Sequence, residues 1–222
     1  MSRYADRRDA GEQLASKLQH FAGRDDVVVL ALPKGGVPVG FQIARALGLP
    51  LDIFVVRKMG APFNTEVALG AVGSGGVQVL NRDIIETMKV PPAMVKAIGI
   101  LERNEVMRLE HVWRGVRKPV RVAGKHVILV DDGLATGASM RTAIAGLRLR
   151  GPLRITVAVP ISAPNVCEQL GREVDEIVCA STPEGFRSVR EWYEDFRQQS
   201  DNDVREMLEA SQAPAAIPVE GP

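Results

Sequence analysis

The sequence predicts an α/β fold in which a doubly wound, mostly parallel sheet carries helices on both faces. Strand-sized apolar segments alternate with longer segments whose apolar residues recur at helical spacing, which is typical of parallel sheets. Short runs rich in glycine or charge follow several apolar segments, at the positions where open α/β sheets bind ligands. The 222 residues, 45% hydrophobic and 25% charged, are enough for one well-buried globular domain.

The first part of the chain is predicted to form a helix over residues 4–22 and then a right-handed β-α-β unit. Apolar residues at helical spacing predict the helix, and two apolar strands separated by a helical segment predict the unit. The predicted elements of the unit are a strand from Val27 to Leu32, a helix from Val37 to Leu49 and a strand from Asp52 to Lys58.

The segment from Met59 to Asn81 interrupts this alternation and predicts an insert in the α/β core. Two short strand-like segments, ALGAV and VQVLN, flank a glycine-rich turn at residues 73–76, as in a β-hairpin. A helix follows the proline pair at residues 91–92. We expect the insert to span about residues 59–113 and to contain a flexible loop.

The alternation resumes after the insert and continues to about residue 200, which predicts a single domain over residues 1–200. A small cover region follows the last strand, where Val189, Trp192, Tyr193 and Phe196 have the spacing of a helix that packs on a core. Residues 201–222 are predicted to be a C-terminal helix, DNDVREMLEA, and a disordered tail beyond Ser211. The remaining predicted elements are strands over 127–130, 155–160 and 175–180, a helix bearing Met140, Ile144 and Leu147, and a helix over 162–170.

The segment VILVDDGLATGASM, residues 127–140, carries the strongest functional signal. A buried strand is expected to deliver Asp131 and Asp132 to the carboxyl edge of the sheet. The loop that follows offers backbone N–H groups and two hydroxyls at a helix N-terminus, which suits a phosphate. Carboxylates beside a phosphate suit an uncharged hydroxylated group, so the segment indicates a ribose 5-phosphate. The loop consists of Ala135, Thr136, Gly137, Ala138 and Ser139.

The same string resembles the phosphoribosyl diphosphate-binding signature of the type I phosphoribosyltransferases. That signature is an apolar strand, two acidic residues, a few small residues, Thr-Gly, a small residue and Ser or Thr. The resemblance implies that Asp131 and Asp132 are catalytic residues that bind the ribose hydroxyls, and that the loop binds the 5-phosphate. It implies transfer of ribose 5-phosphate to a nitrogenous base with release of pyrophosphate. The alternative is an ordinary strand-to-helix turn with an Asp cap.

Two further segments acquire a role from this resemblance. Lys34, Gly35 and Gly36 resemble the pyrophosphate-binding loop of the family, in which an arginine often stands where this chain has lysine. The basic pair Arg57 and Lys58 resembles the entry to a mobile loop whose cations reach the diphosphate, with Lys58 in the catalytic group. Taken alone, Lys-Gly-Gly can simply turn a strand into a helix, and adjacent bases at a strand end also favour solubility.

Two single residues carry weaker signals. Glu66 is the only carboxylate between Lys58 and Leu80, so it is either a base or loop-closure residue or, more simply, a polar loop residue. Phe186 follows the final predicted strand, where many family members cover the nucleobase. The resemblance therefore implies that Phe186 contacts the base.

The resemblance also implies Mg²⁺ as cofactor, because hard oxygen ligands and retained water suit this ion. No direct protein ligand is assigned, and Asp131 and Asp132 would act on the metal through water. The implied partners are phosphoribosyl diphosphate, a nitrogenous base that the sequence does not identify, and a second copy of the chain in a homodimer.

Composition narrows the remaining possibilities. A net charge of +1 gives no electrostatic drive toward nucleic acid or an anionic membrane, and the N-terminus lacks an apolar signal core. We therefore expect a cytoplasmic protein without nucleic-acid or membrane partners. Cys167 and Cys179 lack metal-ligand spacing and are predicted to be small buried hydrophobic residues.

Three alternatives remain from other classes. The chain could be a non-catalytic regulator that binds phosphoribosyl diphosphate, or an enzyme acting on another phosphosugar. An acidic pair after an apolar strand also occurs in receiver domains, but the later strand here ends in Pro160 and Ile161 instead of an aspartate. P-loop, Rossmann and G-x-S-x-G motifs are absent, and the three histidines are far apart in sequence.

Overall fold

Eight strands and seven α-helices make up the part of the chain that the computed structural model describes, residues 3–211. The strands are β1 (Val27–Ala31), β2 (Leu51–Ile53), β3 (Val56–Ala61), β4 (Asn64–Gly73), β5 (Val77–Leu80), β6 (His126–Val130), β7 (Arg154–Ile161) and β8 (Glu176–Ser181). The helices are α1 (Arg7–Ser16), α2 (Gly36–Leu47), α3 (Arg82–Thr87), α4 (Pro92–Arg114), α5 (Ala138–Arg148), α6 (Pro164–Gly171) and α7 (Asp201–Ala210).

Five of the strands form a parallel sheet in the order β2-β1-β6-β7-β8, which confirms the predicted fold class. Strand β1 lies beside β6, and their register pairs Ala31 with Val130. The loops that follow these two strands therefore emerge side by side at the carboxyl edge, where α/β sheets bind ligands.

The core lies on both faces of this sheet, because alternate residues of each strand point to opposite sides. Val27 and Val29 of β1 pack in the cluster that includes α1, α2, α4 and α7. Val28 and Leu30 pack in a second cluster with α5 and α6. Strands buried on both faces explain the continuous apolar runs in the sequence.

The predicted strand from Asp52 to Lys58 is wrong, because the chain leaves the parallel sheet after β2. The Phe54 N–H donates to the Ala31 carbonyl at 3.0 Å. The Val55 N–H donates instead to Ser74 Oγ at 2.8 Å, and the Ser74 N–H donates back to the Val55 carbonyl at 2.9 Å. The chain then continues into β3 of a second sheet.

That second sheet is antiparallel, with the order β3-β4-β5. The predicted hairpin is confirmed as β4 and β5, which pair across a short 3-10 turn at Ser74–Gly76. The insert differs from the prediction because β3, which carries Arg57 and Lys58, pairs with β4 and adds a third strand.

The predicted extents of two helices are wrong. Helix α1 ends at Ser16, and a separate 3-10 turn covers Gln19–Phe21. The aromatic segment forms only a 3-10 turn at Val189–Trp192, after which Tyr193 is extended. The Glu194 N–H donates to the Tyr4 carbonyl at 2.9 Å, so the backbone pairs with the N-terminal segment instead of coiling.

The predicted C-terminal helix is confirmed as α7, which begins with a capping box between Ser200 and Asp203. Val204 and Leu208 of α7 are buried in the first core cluster. The predicted disorder beyond Ser211 lies outside the described residues. Within residues 3–211, the helices lack the combination of length and apolar character that crossing a membrane requires.

The prediction for the two cysteines is wrong in one respect. Cys167 of α6 and Cys179 of β8 form a disulfide, with their Cα atoms 6.7 Å apart. Both residues are half-buried, and helix α6 packs directly on β8. The pairing depends on this tertiary contact, which sequence spacing alone does not reveal.

Candidate active site

The acidic pair lies at the carboxyl end of β6, where Asp131 and Asp132 follow the last paired residue, Val130. Both aspartates are half-buried. The Asp132 N–H donates to Asp131 Oδ1 at 2.8 Å, which fixes the first carboxylate against the backbone of the second. The pair therefore has a defined orientation at the edge of the sheet.

The glycine pair after β1 packs directly against these aspartates. A Cβ atom at Gly35 would overlap the Asp132 carboxylate. A Cβ atom at Gly36 would lie 2.6 Å from the Val130 carbonyl oxygen and 2.9 Å from the Asp131 Cα atom. Two loops from neighbouring strands thus form one continuous surface that only glycine permits.

An arginine from the N-terminal helix completes the surroundings of Asp132. Arg7 Nε lies 2.7 Å from Asp132 Oδ2, and the arginine side chain is only 8% exposed. The Tyr193 hydroxyl donates to the Asp132 backbone carbonyl at 2.6 Å. Residues from both ends of the chain therefore hold the second aspartate.

Burial and the repulsion between the two carboxylates change the pKa values of the pair. Burial, and then the neighbouring Asp132 charge, raise the pKa of Asp131 well above its usual range. Burial also raises the pKa of Asp132, but the Arg7 guanidinium opposes this rise. Proton affinity is thus highest at Asp131, and Arg7 stabilises the charged form of Asp132.

The predicted phosphate loop forms the start of α5. Gly137 occupies the N-cap position with φ 72°, a left-handed conformation that favours glycine. A Cβ atom there would lie 2.9 Å from the Val166 side chain. Arg141 Nη1 donates to the Thr136 carbonyl at 3.0 Å, and this hydrogen bond holds the loop against α5. The other residues of the predicted loop, Ala135, Thr136, Ala138 and Ser139, are exposed.

Lys34 directly precedes the glycine pair and forms an ion pair with the C-terminal helix. Its Nζ lies 3.0 Å from Asp201 Oδ1. The same carboxylate accepts a hydrogen bond from Trp113 Nε1 at 2.7 Å. The Trp113 hydrogen bond, followed by that of Lys34, lowers the pKa of Asp201. A negative group thus already neutralises the lysine.

A cavity of about 430 Å³ opens beside the acidic pair. It brings together residues from the N-terminal helix, the glycine loop, the acidic pair and the C-terminal segment. This volume accommodates a small ligand. The residues that line it are Arg7, Lys34, Gly35, Asp132, Phe196, Gln198 and Gln199.

The sequence predicted Arg57 and Lys58 at the end of a parallel strand, and the structure does not place them there. Both lie in β3 of the antiparallel sheet. Arg57 Nε pairs with Glu102 at 2.8 Å, and Lys58 Nζ lies 3.7 Å from Glu66. Their predicted contact with a diphosphate would require these pairs to open. Glu66 is exposed and pairs only loosely with its lysine.

Phe186 is half-buried and packs against two hydrophobic clusters, one on the sheet and one around Tyr4 and Tyr193. It does not line the cavity beside Asp132. Its contact with a base therefore remains a prediction, and Phe196 is the aromatic residue that reaches the cavity.

Within residues 3–211, no group of three or more His, Cys, Asp or Glu side chains is placed to hold a metal ion. Asp131 and Asp132 nevertheless supply hard carboxylate oxygens next to the glycine loop. This donor set suits Mg²⁺ that arrives with a phosphorylated ligand and keeps several of its waters.

Sequence reasoning missed Arg7, Tyr193 and Asp201 as parts of the site. Arg7 did leave a signal, because it lies seven positions before Leu14 and therefore shares its apolar face on α1. An arginine on an apolar stripe indicates a buried charge that needs a partner. The other two residues carry no comparable local signal.

Comparisons with known proteins identify a family for this chain. The family model described as phosphoribosyl transferase domain matches residues 3–186. A crystal structure of a Thermus thermophilus protein is 41% identical, with a TM-score of 0.82, and the match covers 93% of this chain and 97% of that one.

Curated relatives extend the comparison. A Mycobacterium tuberculosis protein, provisionally named a phosphoribosyl transferase, is 40% identical over 209 residues, which are 94% of this chain and 47% of that protein. The chain thus spans about half the length of this relative. A uracil phosphoribosyltransferase of Renibacterium salmoninarum is 38% identical over 105 residues, 45% of this chain and 48% of that protein.

Proposed function

Since the chain belongs to the phosphoribosyltransferase family, we propose that it transfers ribose 5-phosphate from phosphoribosyl diphosphate to a nitrogenous base and releases pyrophosphate. The observation that carries this proposal is the packing of Gly35 and Gly36 against Asp131 and Asp132. One surface thereby offers carboxylates for hydroxyl groups and a glycine loop for a diphosphate.

The acidic pair and the loop before α5 bind the two ends of the ribose phosphate. The carboxylates of Asp131 and Asp132 accept hydrogen bonds from the ribose hydroxyls. The N–H groups at the start of α5 and the Thr136 and Ser139 hydroxyls bind the 5-phosphate, because the N-terminus of a helix favours an anion. Holding both ends fixes the anomeric carbon for displacement.

The leaving diphosphate lies along Lys34, Gly35 and Gly36. Lys34 supplies charge once it leaves Asp201, and Gly36 begins helix α2, whose N-terminus adds a favourable dipole. Mg²⁺, when bound, supplies further positive charge to the diphosphate oxygens. Arg57 and Lys58 remain candidates for the same role, provided that their pairs with Glu102 and Glu66 open.

The acceptor base binds in the part of the cavity that Phe196, Gln198 and Gln199 line, while the diphosphate occupies the part lined by Lys34 and Gly35. Phe196 offers an aromatic surface there, and Gln198 and Gln199 offer amide groups that can donate and accept hydrogen bonds. Relatives named as transferases favour an enzyme over the non-catalytic regulator. We also propose that the protein forms a homodimer, as the family resemblance implies, and that it acts in the cytoplasm.

Product analysis tests this function. The protein is incubated with phosphoribosyl diphosphate, Mg²⁺ and one base at a time, from a panel of pyrimidines and purines, and nucleotides and pyrophosphate are quantified. We expect one base or a small group to give equal amounts of nucleoside 5′-monophosphate and pyrophosphate. The variant with Asp131→Asn and Asp132→Asn is the inactive control. Tight binding of the donor without any product would favour the regulator.

A further inference from the structure

Arg7 is the most heavily engaged side chain around the cavity. Its Nε binds Asp132 Oδ2 at 2.7 Å, and its Nη1 donates to the Arg197 carbonyl at 2.9 Å. Its guanidinium carbon lies 3.8 Å from the centre of the Phe196 ring, a cation–π contact. Two distant parts of the chain, one at Asp132 and one at Phe196 and Arg197, thus meet at one buried guanidinium.

The helix that carries Arg7 is rigidly seated. Asp6 caps α1 by accepting hydrogen bonds from the N–H groups of Arg8 and Asp9. Ala10 and Leu14, on the same face as Arg7, are fully buried. Arg7 therefore reaches Asp132 from a fixed position, and its planar donor group allows little rotation once bound.

We propose that Arg7 is a positioning residue for the donor site: it holds the Asp132 carboxylate at the angle at which that group accepts a ribose hydroxyl. This proposal rests on the proposed function. Arg7 engages Oδ2, which leaves Oδ1 for the hydroxyl. The guanidinium also offsets the repulsion between two adjacent carboxylates, so that both can face the same sugar.

The hydroxyl of Tyr193 supports the same arrangement from the backbone side. It donates to the Asp132 carbonyl, 2.6 Å away, while its ring lies 5.8 Å from the Arg7 guanidinium. The side chain and the backbone of Asp132 are thus held by residues outside the signature. We expect the affinity for the donor to depend on α1 and on the segment around Tyr193, although neither belongs to the motif.

A double-mutant cycle tests the proposal. Titration calorimetry measures the affinity for phosphoribosyl diphosphate with Mg²⁺ in the wild type, Arg7→Gln, Asp132→Asn and the double variant. We expect Arg7→Gln to weaken binding about tenfold, as for one lost charge-assisted hydrogen bond. In the Asp132→Asn background the same change should alter affinity less than about twofold, because Arg7 acts through the carboxylate.

Two further variants separate positioning from general structural damage. Arg7→Lys keeps the charge but cannot reproduce the paired contacts with Asp132 and Arg197, so we expect an intermediate loss that again vanishes with Asp132→Asn. Arg8→Gln is the matched control, because Arg8 is exposed and pairs with Glu12 on the surface of α1. It should bind like the wild type. If Arg7→Gln does not fold, the comparison of Arg7→Lys in the wild-type and Asp132→Asn backgrounds tests the proposal by itself.

Two results would overturn the role of Arg7. An equal loss in both backgrounds would mean that Arg7 acts independently of Asp132. Tighter binding by Arg7→Gln would mean that the arginine obstructs the carboxylate. Failure of the wild type to bind phosphoribosyl diphosphate would instead contradict the proposed function, so the two failures are distinct.

Discussion

Gly35 lies so close to Asp132 that a single added methyl group at position 35 would overlap the aspartate carboxylate. The two residues are 97 positions apart, yet their strands are neighbours in the sheet. The contact joins the glycine loop and the acidic pair into one surface. It gives the Lys-Gly-Gly segment a requirement for glycine that a simple strand-to-helix turn would lack.

Substitution Gly35→Ala should therefore weaken donor binding more than it weakens the fold. The Cβ atom displaces the Asp132 carboxylate, at a cost of about one charge-assisted hydrogen bond, or roughly tenfold in affinity. Calorimetry with phosphoribosyl diphosphate measures the effect. Gly171→Ala serves as control, because its Cβ would meet only the Ile177 methyl group, at 3.1 Å. Equal affinity of wild type and Gly35→Ala would show that this contact does not matter for binding.

Lys34 should contribute to binding of the diphosphate and not of the sugar phosphate. Lys34→Gln is expected to lower the affinity for phosphoribosyl diphosphate about tenfold and to leave the affinity for ribose 5-phosphate unchanged, because only the first ligand carries the diphosphate. Both ligands are compared by calorimetry, with Lys17→Gln as control. An equal loss of affinity for both ligands would show that Lys34 contacts a part of the donor other than the diphosphate.

The buried ion pair between Arg114 and Asp52 should be important for stability. Arg114 Nε lies 2.9 Å from Asp52 Oδ1, both side chains are 7% exposed, and Asp52 also accepts the Val120 N–H. Asp52→Ala removes the nearer carboxylate from Arg114, which keeps only its pair with Glu110 at 3.1 Å among the described residues, and leaves the Val120 N–H without its acceptor. We therefore expect a loss of about 2–3 kcal/mol in the free energy of unfolding.

Urea denaturation measures that loss. Asp26→Ala, which removes one partner of the exposed pair with Arg24, is the control and should change stability little. Comparable losses in the two variants would show that burial adds nothing to the Arg114 pair.

His126 should make the fold less stable in mild acid. Burial, followed by the charges of Arg24 and Arg154, lowers the pKa of His126 in the folded protein, whereas the unfolded residue titrates near 6.5. Glu176 and Asp26 oppose this effect only in part. Below about pH 6.5 the unfolded chain takes up a proton that the folded imidazole resists, so stability falls as pH falls.

Urea denaturation at pH 7.5 and 5.5 measures this pH dependence. We expect the decrease in unfolding free energy to be smaller in His126→Gln than in the wild type. His111→Gln, at an exposed position, should retain the full decrease. An unchanged decrease in His126→Gln would assign the acid sensitivity to other groups.

Features encoded within one short segment could be predicted from the sequence. Residues 127–140 are contiguous, and the structure forms them as expected into strand β6, the acidic pair and a loop that leads into α5. The neighbouring position of the Lys-Gly-Gly loop followed from the alternation of strands and helices.

Features that depend on distant contacts could not be predicted. The apolar run from Ile53 to Val56 has the pattern of one continuous strand, and only the hydrogen bonds of Val55 with Ser74 divide it between two sheets. Arg7 approaches Asp132 across 125 positions. Such pairings depend on how elements pack, and local periodicity does not encode them.

The most direct test of the acidic pair is the donor affinity of a variant with Asp131→Asn and Asp132→Asn. Its matched control carries the same changes at Asp25 and Asp26, an adjacent acidic pair that precedes β1 at the opposite edge of the sheet. Calorimetry with phosphoribosyl diphosphate and Mg²⁺ measures both. We predict a loss of about 1.5–3 kcal/mol for each hydrogen bond removed, tens-fold or more in total, and affinity within about twofold of the wild type for the control. Unchanged affinity of the Asp131 and Asp132 variant, with its fold intact, would contradict the assignment of the donor site.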